Sequence, residues 1–296
     1  MTYILQKYLS SVVLRKISTP LYYLSGILDY YFNPKALKQS NIEPFIDNEK
    51  IKMEFIKNGF NVIDYEINRA DFIQWLYNVN FPREYIELYG EVFTEKALEH
   101  YLSSKLLDLN ENDTFIDIGA GSSPWYHLSE KMYKCRGFAV DFHLPKKMNS
   151  GLIECDATAM PFDNENISKI ALHCAFEMFE NNADTNLIKE ANRVLALGGK
   201  MVIIPLYMAH FYHIQSSPKS NRKAIEYGKA KRVWRDDKYN VRFARWYSVE
   251  AFNERIAVHK DKLKLKIFYF TNEREIKLKL EDRVYVKFAA CFTKES

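Results

Sequence analysis

Cysteine is scarce in this 296-residue sequence. The four present, Cys135, Cys155, Cys174 and Cys291, lie far apart, and no two form a C-x-x-C pair. That argues against a disulfide framework or a cysteine-built metal centre. It predicts small, buried apolar side chains in a reducing compartment. No stretch of about 18 or more apolar residues exists, so no membrane-spanning helix is expected. Residues 1–20 have no continuous apolar core and no small-residue cleavage site, so they do not read as a signal peptide. A cytoplasmic protein is the expectation. Internal repeats and low-complexity tracts are lacking, as is any His/Asp/Glu cluster at metal-ligand spacing, and no metal is expected.

What the chain does have is apolar and aromatic material, 47% and 15% of its residues. With the length, that argues against disorder and suits one large domain or a domain with a sizeable extension. The formal net charge of +4 is unevenly spread. Residues 216–287 hold twenty Lys/Arg against ten Asp/Glu, which is +10, and the remainder is −6. A basic segment of this kind either steers an anionic ligand or is a solvated, lysine-rich surface.

Residues 1–90 show no strand alternation and read as short helices punctuated by Pro20, Pro34, Pro44 and Pro82. They are expected to form a helical N-terminal extension, serving as a lid, an appendage or a membrane-surface contact. From residue 91 to 296 the texture is that of a second domain. Thr94 is a candidate N-cap for a helix with apolar spacing. Short apolar strands are then expected at 114–118, 137–141, 152–155, 167–174 and 200–206. Helices are expected at 123–134 and 184–197, the latter ended by Gly198-Gly199. This alternation predicts an α/β fold, doubly wound around a mainly parallel seven-stranded sheet. Residues 263–270 and 284–292 are expected to close it as an antiparallel terminal hairpin at one edge. Residues 207–245 have little pattern and read as an insertion.

Such a sheet binds ligands beyond the carboxyl ends of its strands. The run Asp117-Ile-Gly119-Ala120-Gly121-Ser122-Ser123-Pro124-Trp125 falls at such an end. Its glycines allow a sharp turn and a close backbone approach. Asp141 ends the second strand about twenty residues later, and Asp156 follows the third. Alone, a strand followed by G-x-G is a weak signal that dinucleotide-binding folds share.

This ordered set resembles the class I S-adenosylmethionine-dependent methyltransferases, of the type 11-like kind, whose first motif is acidic-x-Gly-x-Gly-x-Gly. The resemblance covers residues 93–206 well and 246–292 in architecture only. It implies S-adenosyl-L-methionine as cofactor, with Asp117, Gly119, Ala120, Gly121, Ser122 and Trp125 around its methionyl and ribose parts. Asp141 and Phe142 would meet the ribose, and Asp156 and Ala157 the adenine. Ser123 stands where the family often has a third glycine. The segment 170–179 resembles the family's fourth-strand run, with His173 beside the site, although a later histidine of the family is Met178 here. The run Leu187-Ile-x-Glu190-x-x-Arg193-Val-Leu-x-x-Gly-Gly199 matches the helix and glycine pair before strand five.

Methyl transfer needs an oriented acceptor and excluded water, and for a hydroxyl acceptor a base. The candidate bases are His173, Glu177 and His210, with His213 beside the last. His127 and His143 are expected to frame the site. Arg242 and Arg245, interleaved with aromatics, are candidates to grip an anionic substrate or to pin the insertion. O-methylation of a small-molecule, glycan or lipid-linked acceptor is the leading expectation, with peripheral membrane contact a further one. Nucleic acid is not an expected partner, because His173-Cys-Ala-Phe stands where base methyltransferases carry an Asn/Asp-Pro-Pro-Tyr run. One alternative is a NAD(P)-dependent oxidoreductase, which would need a glycine where Pro124 stands. Another is an inactive cofactor-binding scaffold.

Overall fold

The computed structural model of the protein describes residues 21–144, 151–220, 225–236 and 240–296. In chain order its elements begin with a helix over 21–32 (α1), then α2 (Asn48–Lys57), β1 (Val62–Tyr65), α3 (Arg69–Val79), α4 (Arg83–Tyr89) and α5 (Phe93–Leu107). Next come β2 (Thr114–Ile118), α6 (Trp125–Tyr133), β3 (Arg136–Asp141), β4 (Leu152–Glu154), β5 (Ile167–His173), α7 (Ala183–Val194) and β6 (Leu195–Ile204). The chain continues through β7 (His213–Ser216), β8 (Lys231–Trp234), β9 (Ala244–Trp246), α8 (Val249–Arg255), β10 (Leu263–Phe270) and β11 (Phe288–Lys294). These residues fall into two compact units, the larger of 48–176, 182–208 and 249–296, the smaller of 21–47, 177–181 and 209–248.

The larger unit is an α/β sheet of eight strands in the order β1-β10-β11-β6-β5-β2-β3-β4. All neighbours are parallel except β10 with β11 and β11 with β6. The central strands are apolar runs without alternation, as burial on both faces demands. Ile116, Ile170, Ala171, Leu172, Val202 and Ile203 are wholly buried. On one face the helices α3 to α6 contribute Phe72, Trp75, Leu98, Tyr101 and Trp125 to a single core with Phe115, Val202 and Ile204. Elsewhere Phe55 of α2 meets Phe252 of α8 and Phe288 of β11 edge-on or tilted. After β2 the chain winds outward through β3 and β4, then returns to β5 on the other side of β2. The switch point therefore lies between β2 and β5, where such sheets open a crevice.

Several expectations change here. The sheet has eight strands rather than seven, because residues 62–65 form β1 and pair with β10. Four residues are too few for alternation to register. The terminal hairpin is antiparallel as expected, but β1 flanks it, so it is not the edge. Residues 48–90 cluster with the sheet, and the unit boundary falls at 47/48 instead of near 90. Thr94 lies inside α5, whose N-cap is Val92, and donates its hydroxyl to Asp282 at 2.5 Å. Gly198-Gly199 does not end a helix. Helix α7 stops at Val194 and the glycines sit within β6, where the pairing with β5 slips from Ile167–Leu195 to Lys169–Lys200.

The smaller unit contains α1 and a three-stranded sheet, β8-β7-β9, parallel on one side and antiparallel on the other. Strands of three or four residues explain why 207–245 looked patternless. Asp29 fixes α1 by accepting from Arg232 and from the Trp234 indole, each at 2.7 Å. That part of the expected membrane contact before residue 21 lies outside the described residues.

Candidate active site

Within the larger unit, the carboxyl ends of β2, β3 and β5 lie side by side and carry Asp117, Asp141 and His173. Asp117 pairs with Ala139 and Ala171, Asp141 closes β3, and His173 closes β5. The loop after β2 is held by backbone and carboxylate together. The Gly119 amide donates to Val140 O at 2.8 Å, and the Gly121 amide to Asp141 Oδ2 at 2.9 Å. The second Asp141 oxygen accepts from the His143 amide at 3.1 Å.

Both glycines have positive φ, 71° and 54°. A Cβ at 119 would lie 2.5 Å from the Ala175 methyl, whereas one at 121 would meet nothing within 4 Å. Gly119 thus serves packing, while Gly121 faces open space beside a carboxylate. Ser122 is exposed, and Ala120 is buried against Tyr126 and Ala139.

Asp156 follows β4 and accepts from the Thr158 amide and hydroxyl, both at 2.8 Å. Its loop is clamped from α7. Arg193 donates to Met160 O at 3.0 Å and to Phe162 O at 2.8 Å, while Glu190 accepts from the Met160 amide at 2.7 Å. Glu190 and Arg193 belong to the run matched in the sequence, and this is what they do. Ala157 is buried, and Phe142 is 60% exposed, an apolar ring standing in solvent.

Asp117 and His173 form the buried centre. Asp117 Oδ1 bonds His173 Nδ1 at 2.8 Å, and His173 Nε2 bonds Ser103 Oγ of α5 at 2.7 Å. Both imidazole nitrogens are therefore engaged within the larger unit. The His173 ring also packs edge-on against His100, at 4.3 Å between centroids. Trp125 is wholly buried, stacked on His100 at 4.8 Å and 18°, so it belongs to the core wall.

Sequence reasoning missed the contribution of α5. Glu95, Lys96, Glu99, His100 and Ser103 are all buried. Lys96 and Glu99 form an ion pair at 2.8 Å, His100 Nε2 bonds the Tyr85 hydroxyl at 3.0 Å, and Glu95 Oε2 accepts from the Tyr285 amide at 2.9 Å. Burial, with Glu99 nearby, pushes the Glu95 carboxyl up to about 8. Burial raises Glu99 as well and drives His100 well below the usual imidazole range. Among the described residues, Asp117 Oδ2, Glu99 Oε2 and Glu95 Oε1 are buried without a hydrogen-bond partner. The polar stripe at i, i+4 spacing was present in the sequence, but on a helix such a stripe ordinarily marks the solvent face.

The remaining candidates lie in the smaller unit. Glu177 is buried. His210 Nε2 accepts from the Asp47 amide at 2.9 Å, which uses the one lone pair of a neutral ring. His213 is buried and stacked on Trp246 at 5.8 Å and 11°, and burial lowers its imidazole to about 4. Arg242 makes a two-bond ion pair with Glu180, at 2.8 and 3.2 Å. Arg245 is only 2% exposed, donates to Asn181 O at 2.9 Å and sits over the Phe243 ring at 5.2 Å. Both arginines thus have partners inside the unit, and the buried Arg245 is a pin.

Neither a scan of family models nor a search of curated proteins finds a match. Among solved structures, the chain is similar to the 1,6-didemethyltoxoflavin-N1-methyltransferase of Burkholderia thailandensis, crystallised with 1,6-didemethyltoxoflavin and S-adenosylhomocysteine. That likeness has a TM-score of 0.47 and 10% identity, over 77% of this chain and 87% of that one. It is also similar to the geranyl diphosphate C-methyltransferase of Streptomyces coelicolor, with a TM-score of 0.40 and 12% identity, over 68% and 79% of the two chains. A SAM-dependent methyltransferase of Aquifex aeolicus gives a TM-score of 0.39 and 13% identity, over 77% and 98%.

Proposed function

We propose that this chain is a class I S-adenosylmethionine-dependent methyltransferase acting on the oxygen of a small-molecule, glycan or lipid-linked acceptor. The observation that carries the reading is the bond from the Gly121 amide to Asp141. It fixes a glycine with open space at its Cβ position beside a carboxylate, at the switch point of a parallel sheet. A dinucleotide enzyme has less support, since Pro124 stands where its helix-opening glycine is needed.

The residues suit this cofactor chemically. Asp141 and Asp156 offer carboxylate oxygens for two ribose hydroxyls and an amino group, the Ala157 amide is a donor beside the latter, and Phe142 presents an apolar ring. Gly121 leaves the backbone open to the ligand, and Asp117 Oδ2 is a buried acceptor in want of a donor. The cofactor supplies a methyl group already activated on sulfonium, so the protein's task is orientation and water exclusion. His173, tied to Asp117 and Ser103, holds the Asp117 carboxylate in place. Glu99, also buried with an unpartnered oxygen, is a further candidate for the proton acceptor.

Calorimetric titration with S-adenosylmethionine, S-adenosylhomocysteine and NAD tests the proposal. Heat from the two methionine compounds and none from NAD is expected. Tight NAD binding with silence from the others would overturn it. A screen of hydroxyl acceptors with radiolabelled cofactor then addresses the acceptor class.

A further inference from the structure

Helix α1 is inverted relative to an ordinary surface helix. Its sequence, LYYLSGILDYYF, holds a single charge, Asp29, and that charge points inward onto Arg232 and Trp234. The outward side carries Leu21, Leu24, Leu28, Tyr31 and Phe32, the last two 67% and 77% exposed, and Tyr22 and Tyr23 in the first described turn are exposed as well. A charge turned in and a contiguous apolar side turned out is the pattern of a face that needs covering.

The same unit has a cavity of about 530 Å³, lined by Tyr23, Lys219, Ser220, Asn240 and Arg242. Tyr23 thus joins α1 to a pocket whose described lining offers the exposed Lys219, while Arg242 there is bound to Glu180. Lys35 and Lys38 follow directly after the helix, Lys38 resting on the Tyr30 ring at 4.4 Å. Tyrosine-rich apolar surface beside basic groups suits a bilayer interface, where rings settle at headgroup depth and lysines meet phosphate. A second copy fits less well, because a two-fold contact through this face would bring Lys35, Lys38 and Lys219 near their own equivalents. Among the described residues no helix is long and apolar enough to cross a membrane.

We propose that α1 and the adjoining pocket form a docking site for an anionic lipid surface. The apolar side chains of α1 enter the headgroup layer, and a lipid phosphate meets Lys219 at the pocket. Docking needs no cofactor, so it stands or falls separately from the methyltransferase reading.

The test is sedimentation of the full-length protein with vesicles of phosphatidylcholine alone and of phosphatidylcholine mixed with phosphatidylglycerol, without cofactor. Pelleting with the mixed vesicles is expected. It should fall about tenfold in Lys219→Glu, a change of two charges at the surface, and be lost in Tyr31→Ser/Phe32→Ser. Both variants alter exposed side chains, and melting curves check that they fold. Several outcomes would overturn the proposal: no pelleting, equal pelleting with both vesicle types, pelleting indifferent to both variants, or full competition by inorganic phosphate. So would a concentration-dependent dimer, dissolved by Tyr31→Ser/Phe32→Ser, that leaves lipid untouched.

Discussion

The Asp141 carboxylate has two oxygens and spends one on each side of the glycine loop, on the amides of Gly121 and His143. Removing it in Asp141→Ala costs the fold about 1 kcal/mol for the Gly121 bond. The same change removes a charged acceptor for two hydroxyls, each worth about 1.5–3 kcal/mol. Affinity for S-adenosylhomocysteine should therefore drop at least about tenfold while the melting temperature moves little. Titration and melting of one preparation compare the two losses directly. His173 should behave in the opposite way. In His173→Ala the Asp117 carboxylate stays buried without its partner, a loss of about 3 kcal/mol or more. The melting temperature should fall steeply, which a histidine acting only as a base would not produce.

Elements carry the pH dependence. In β7, His213 is held to about 4 by burial, whereas an unfolded imidazole protonates near 6.5. Its contribution is present above about pH 6.5 and drains as pH falls toward 4, by about 3 kcal/mol in all. His213→Phe, which keeps a ring against Trp246, should flatten that acid arm in melts across the range. In α5 the sign reverses. Glu95 ionises near 4.5 when unfolded but only near 8 when folded. Stability is full below about pH 4.5 and is lost as pH rises through 8. Glu95→Gln should gain on the wild type as the melting pH is raised from about 5 to 8.

The same two elements mark what the residues alone disclosed. The strands around the glycine loop were legible, because both-face burial leaves unbroken apolar runs such as Met201-Val-Ile-Ile204. So were Asp117, Asp141 and Asp156, because each lies at or just beside the carboxyl end of a strand. The buried stripe of α5 was not legible, since charge at helical spacing looks the same whether it faces water or another charge. The strands β1, β7, β8 and β9 were too short for period-two alternation to stand out. The partners of Arg245 and His173 come from segments about 60 residues away in sequence, which no local pattern encodes.

For the whole molecule, ligand linkage should be visible as heat stability. At a hundred times its dissociation constant, S-adenosylhomocysteine should stabilise the protein by about 2.7 kcal/mol and raise its melting temperature by several degrees. NAD at the same concentration should leave it unchanged. Strand β1 has a different consequence, one of timing. Its only partner in the sheet is β10, with Val62 against Ile267, roughly 200 residues further along. At about 5–20 residues per second, a ribosome takes on the order of 10–40 s to make that stretch. Throughout that interval Val62–Tyr65 has no edge to join, and the sheet can grow only from β2 onward. The newborn chain must carry its early apolar residues unsheltered until almost the last segment emerges, and in that window a chaperone would find them.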